Sequence, residues 1–172
     1  TDEDENYPNI LFLQLESFFD PQQIKGLEFN EDPLPNWHAL QEEYTTGFLT
    51  VPVVGAGTAN TETEVLTGMS TRFFGPGEYP YKTVLTENTA ESVAYILKDL
   101  GYGTHAVHNH RGVFYGRNKV YKNLGFDTFT SLEYMSNTSI TPKNWCKDKV
   151  LTGEIEAALD STDTPDLVYT VS

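Results

Sequence analysis

Residues 55–64 read GAGTANTETE and follow directly on the apolar run FLTVPVV at 48–54. Glycines let a backbone approach a ligand closely, and the free N–H groups of a helix start can hold an anion. Thr58 puts a hydroxyl at that junction, and a hydroxyl becomes a nucleophile only when a base or a metal lowers its pKa. By local pattern alone a plain helix N-cap is the favoured reading of the same residue, and Asn60 reads as a cap or as a donor to a phosphate oxygen. Glu16 ends the run NILFLQL, where an unpaired carboxylate is costly; it needs a cation, hydrogen-bond donors or a place at the solvent edge.

Past the run GTHAV stand His108, Asn109, His110 and Arg111. His108 and His110 share a face if the strand continues, the spacing of some two-histidine metal sites, or they contact a polar head group without touching metal. Arg117, in FYGRNKVY, lies where a loop becomes a helix; its planar fork suits a phosphate, and a surface arginine at a helix start is the alternative. His105 points to the opposite face of the strand and His38 lies on a candidate amphipathic helix, so both read as structural. A carboxylate, a hydroxyl and imidazoles gathered on one edge suit a hard or borderline divalent cation.

The elements that must position these groups alternate. NILFLQL (9–15) is expected as a central strand buried on both faces, and FLTVPVV as a second strand, with Pro52 favouring an edge or an early end. Helices are expected around NWHALQEEY, from near Thr58 to Thr61 onward with Thr61 and Glu64 at capping-box spacing, and over ESVAYILKDL, which Gly101 stops. GTHAVHNH reads as a strand, RNKVYKNLG as a helix closed by Gly125, VLTGEIEAAL as a helix and DLVYTVS as a last strand. Strands alternating with helices predict an α/β fold, a largely parallel sheet flanked by helices, with ligands beyond the carboxyl ends of the strands. Residues 1–8 read as an acidic lead-in and 9–172 as one α/β unit that looks cut, because the chain stops at an apolar strand with no helix after it.

The 172 residues carry 25 acids against 11 bases, a formal charge of −14, which disfavours nucleic acid and anionic surfaces as partners. An anionic phosphate ester is then bound only through local features: a metal, a helix start or a few arginines. A single cysteine, Cys146, excludes an internal disulfide, and no run approaches the roughly 20 apolar residues that span a bilayer.

Together LQLESFFDP, GAGTANTETEVLTGM, HNHRGVFYGRNKVYKNLGFD and DLVYTVS resemble the extracellular catalytic domain of the lipoteichoic acid synthase family, within the sulfatase-like, alkaline-phosphatase-type superfamily. The resemblance implies Glu16 as a metal ligand and Thr58 as both ligand and nucleophile, with manganese, or magnesium or zinc, as the ion. Thr58 then attacks phosphatidylglycerol, releases diacylglycerol and passes glycerol phosphate to a growing glycerophosphate polymer, at the outer face of a bacterial membrane. His108 and Arg117 match positions that hold the glycerophosphate group, and Asn60, His110 and Tyr115 line the same site. His110 stands where well-known members carry an acid, and Tyr115 where they carry a tryptophan. The family completes its metal site with an Asp-His pair, and its substrate site with another histidine, further along than Ser172; the remainder of the same domain is therefore an expected partner. Alternatives are another enzyme of the superfamily, a phosphoethanolamine transferase or sulfatase, or a non-catalytic module that binds glycerophosphate polymer.

Overall fold

The computed structural model describes residues 7–53 and 57–172. The chain divides into two compact units, Thr1–Glu16 with Pro52–Ser172, and Ser17–Val51. The second, smaller unit holds the helix α1 (Pro35–Glu43), whose His38 contacts Asp32 at 2.7 and 2.8 Å and Asp20 at 3.2 Å. Both carboxylates favour the imidazolium, Asp32 most, and raise the His38 pKa.

The larger unit carries a four-stranded parallel sheet: β1 (Ile10–Gln14), β2 (Gly103–His108), β3 (Thr128–Ser131) and β4 (Asp166–Val171), in the spatial order β1-β4-β2-β3. Three helices cover one face: α2 (Ala59–Thr67), α3 (Val93–Asp99) and α4 (Arg117–Asn123). Their Leu66, Ala94, Val120 and Tyr121 pack with Ala106, Leu167, Tyr169 and Val171 of the sheet. A fourth helix, α5 (Leu151–Leu159), lays Leu151 and Ile155 against Val107 and Val168 on the other face. Coverage from both sides explains why β4 is buried throughout. The expected α/β fold with a parallel sheet flanked by helices is the one observed.

Local signals set most boundaries. The Ser92 side chain accepts a hydrogen bond from the Tyr95 N–H and caps α3, and α3 and α4 stop ahead of Gly101 and Gly125, both with positive φ.

Four expectations are corrected. Residues 48–53 form no strand; Phe48 is 95% exposed, and a segment with no buried face gains nothing from strand pairing. Val54, the last residue of that predicted strand, and Gly55 lie outside the described residues. β1 is an edge strand rather than a central one: Phe12 packs on the core, whereas Leu11 and Leu13 are 48% and 49% exposed. Thr61 sits inside α2 rather than at its cap, and Glu64 instead accepts from the Thr71 N–H at 2.6 Å and its hydroxyl at 2.9 Å, tying down the next loop. β3, in FDTFTS, completes the sheet without having been signalled by the sequence.

Candidate active site

Strand register places the chemistry on one edge. Gln14 and His108 both align with Val171, and His108 also aligns with Ser131, so all four strands end together. Past those ends lie Glu16, Ser172, Asn109 and His110; the Ser172 hydroxyl accepts from the Glu16 N–H at 2.9 Å. This is the carboxyl edge, where parallel sheets present ligand sites.

Thr58 occupies the N-cap position of α2, yet its side chain makes no capping bond. Its hydroxyl donates instead to Glu16 Oε1. The plain-cap reading is thereby excluded, and the two residues that the sequence singled out meet on one edge. Gly57 makes the approach possible. Its φ is +88°, and a Cβ there would lie 2.3 Å from the Tyr79 hydroxyl.

Arg117, expected as an open phosphate fork or a surface residue, is 0% exposed, as is its partner Glu62. Arg117 Nε donates to Glu62 Oε2 at 3.0 Å, and Nη2 donates to Oε1. The Tyr121 hydroxyl donates to Glu62 Oε2 at 2.9 Å. Nη2 also lies 3.6 Å from Glu16 Oε1, so the guanidinium stands between a permanent carboxylate partner and the one that holds Thr58.

His108 is buried; its Nδ1–H donates to the Val171 carbonyl at 2.9 Å, which leaves Nε2 with no hydrogen-bond partner. His110 stacks between Phe114 and Trp145, at ring distances of 4.7 and 5.2 Å, and stands 6.0 Å from the His108 ring. Beside it opens a cavity of about 350 Å³ lined by Lys82, His110, Arg111, Val113, Phe114 and Tyr115. The Lys82 ammonium lies over the Tyr79 and Tyr115 rings, 4.9 and 4.8 Å from their centres. Asn60 donates to the Glu78 carbonyl at 3.1 Å and lines a different cavity, so it is held by that loop rather than by Thr58 or Glu16.

The sulfatase family profile matches residues 8–172. The chain belongs to the sulfatase family. A Rhizobium meliloti (strain 1021) protein with the name "Putative cyclic beta-1,2-glucan modification protein" is 34% identical over 96% of this chain, which spans 25% of that protein. Two solved structures share the fold. The Streptococcus pyogenes phosphoglycerol transferase GacH, in complex with sn-glycerol-1-phosphate, superposes with a TM-score of 0.81 at 23% identity, over 96% of this chain and 44% of that one. The lipoteichoic acid synthase LtaP from Listeria monocytogenes gives 0.77 at 22% identity, over 96% of this chain and 40% of that one. The sulfatase-family chain thus spans a quarter of the curated relative and about two fifths of the solved ones.

Electrostatics within this sulfatase-family site follow from burial and Arg117. Burial raises the Glu16 pKa, with Glu62 adding to it and Thr58 and Arg117 opposing it. Burial and then Arg117 lower the His108 pKa to about 3, so the imidazole is neutral and Nε2 is an acceptor. His110 is lowered by burial, Arg117 and Arg111. Burial disfavours charge on Arg117 as well, but Glu62, Tyr121 and Tyr81 together outweigh it and raise the pKa of the guanidinium.

Two touching hard oxygen donors, from Glu16 and Thr58, suit a divalent cation. Among the described residues no group of three or more His, Cys, Asp or Glu side chains forms a shell around one. Glu62, Tyr121 and Lys82 are the members of this environment that sequence reasoning missed. For Glu62 the signal was available, because it follows Thr58 by four residues and hence lies on the same helical face.

Proposed function

We propose that this protein is a metal-dependent phosphoglycerol transferase in which Thr58 is the nucleophile and phosphatidylglycerol the donor. The observation that carries the reading is the hydrogen bond from the Thr58 hydroxyl to the Glu16 carboxylate at the carboxyl edge of the sheet. Sulfatase-family membership and a fold shared with a phosphoglycerol transferase support it.

In this reading Thr58 Oγ attacks the phosphorus of the lipid and passes its proton to Glu16, whose carboxylate already accepts the Thr58 hydrogen bond. The bond from phosphorus to the diacylglycerol oxygen breaks, that oxygen takes up a proton from water, and glycerol phosphate stays on Thr58 as an ester. An acceptor hydroxyl then attacks the same phosphorus and gives its proton to water, while the Thr58–phosphorus bond breaks and Thr58 regains the proton held by Glu16. Glu16 and Thr58 would hold a divalent cation, manganese by the resemblance, with magnesium or zinc as alternatives; when bound, such an ion supplies charge neutralisation at the phosphoryl oxygens. His108, through its free Nε2, accepts from a hydroxyl of the glycerol phosphate, and Arg117 faces its phosphoryl oxygens. His110, Tyr115 and Lys82 border the cavity for the head group, and Asn60 fixes the neighbouring loop. The working domain in this reading extends beyond these residues. The chain's coverage of only part of its relatives' lengths supports that extension.

The acceptor has two candidates. A growing glycerophosphate polymer is the one implied by the resemblance, with catalysis at the outer face of the cell membrane. A glucan is the second, favoured by the relative at 34% identity whose name refers to cyclic beta-1,2-glucan modification. Incubating the full-length protein with labelled phosphatidylglycerol and each acceptor in turn separates them. The Thr58→Ala variant tests the core of the proposal. Diacylglycerol release should fall by at least about a thousandfold while the melting temperature stays within a few degrees. Turnover that survives this change would show that the nucleophile is another group.

A further inference from the structure

The Glu62 to Arg117 pair has a geometry that does more than neutralise a buried charge. A guanidinium offers two bidentate edges, one through Nε and an Nη, the other through both Nη nitrogens. In this protein the Nε and Nη2 edge is locked onto the two oxygens of Glu62. The Tyr121 hydroxyl fixes the same carboxylate from another direction, at 2.9 Å. The remaining edge is left to face elsewhere, and its Nη2 is 3.6 Å from Glu16 Oε1, the atom that receives the Thr58 hydroxyl; Nη1 reaches the Phe114 carbonyl at 3.5 Å.

Glu62 stands on α2 four residues after Thr58, one turn along the same helix. One rigid element therefore sets both the attacking hydroxyl and the aim of the arginine. We propose that Glu62 is a positioning residue, which acts through Arg117 by turning the second edge of its buried guanidinium toward phosphoryl oxygens held at Thr58 and Glu16. The inference rests on the phosphoryl-transfer reading of this site. Because Glu62 cancels most of the arginine's charge, the contribution of Arg117 to binding comes chiefly from direction. A lysine, a point charge without a second edge, does not replace it.

The test measures binding of inorganic phosphate and of sn-glycerol-1-phosphate to full-length protein by calorimetry, beside diacylglycerol release. Glu62→Gln removes the charge and sets an amide donor against a guanidinium donor; it should weaken both probes about tenfold. Arg117→Gln should weaken them at least as much, and the double variant should match Arg117→Gln alone, because Glu62 acts only through Arg117. A purely structural Glu62 would give losses that multiply in the double variant, or affinity unchanged in Glu62→Gln, and either result overturns the inference. Glu62→Asp, which keeps the charge and withdraws the carboxylate, and Tyr121→Phe, which leaves the Arg117 contacts in place, decide the matter if Glu62→Gln does not fold. The first should weaken binding about threefold or more and the second less than about twofold; equal effects overturn the inference. Wild-type protein that binds both probes but releases no diacylglycerol refutes the functional reading alone. Wild type that binds neither refutes both.

Discussion

Glu16 and Thr58, separated by 42 positions, meet as acceptor and donor at the edge where all four strands end. Glu16 is held there at a cost, because burial raises its pKa above the ordinary carboxylate value. With the pKa raised, protonation favours the folded state, so the ionised side chain detracts from stability above the folded pKa. Glu16→Gln keeps an acceptor for the Thr58 hydroxyl and removes the charge. It should melt no lower than wild type at pH 7, yet lose about 100-fold or more in diacylglycerol release and its dependence on added manganese. Calorimetric melting beside a manganese titration of the activity checks both arms; a variant that melts lower and keeps full activity contradicts the assignment.

Gly57 is the hinge on which that meeting depends. A methyl group at this position confronts both a left-handed φ of +88° and the Tyr79 hydroxyl at 2.3 Å. Gly57→Ala should cost about 1–3 kcal/mol and displace Thr58. Adding Tyr79→Ala relieves the clash but not the backbone strain, so the double variant should regain only part of the stability loss in a urea titration.

The buried pair Glu62 and Arg117 predicts an asymmetric stability pattern. Arg117→Met leaves a carboxylate with 0% exposure and no cation against it, which should cost about 3–5 kcal/mol. Replacing both members, with Glu62→Leu alongside Arg117→Met, should restore much of that loss, because the desolvation cost of two charges disappears with the pair. Urea midpoints of the three proteins test this; a double variant no more stable than Arg117→Met would show that the pair is worth more than an apolar replacement.

What the sequence made legible follows where burial and pattern agree. β4 is buried throughout and β2 nearly so because helices cover both faces of the sheet there, and α3 carries a serine cap and a glycine stop. NILFLQL has the same composition, but its neighbours decide the burial: with β4 on one side only and no described helix over Leu11 and Leu13, it is an edge strand. FLTVPVV shows the converse, since β-branched residues favour a strand only when a face is buried, and Phe48 is nearly bare. At the site, Thr58 and Glu16 were visible because each sat just past a predicted strand. Glu62 shares a helical face with Thr58, a spacing open to the sequence, but its contact with Arg117 lies 55 positions away and no local spacing encodes it.

His108 gives the site a defined pH signature. Its folded pKa lies near 3, set by burial and by Arg117, against an ordinary value of 6.5. A histidine lowered in this way binds its proton more readily when unfolded. Its neutral form therefore contributes stability that is present in full above about pH 6.5 and is lost as the pH falls toward about 3. His108→Asn retains a donor suited to the Val171 carbonyl and has no proton to gain in that window. The difference in unfolding free energy between wild type and His108→Asn, followed by urea titration from pH 7 to pH 4, should shrink steadily as the pH drops. A difference that stays constant across the range would mean that His108 titrates alike in the native and unfolded protein, and would contradict the buried, neutral imidazole on which the acceptor role of Nε2 rests.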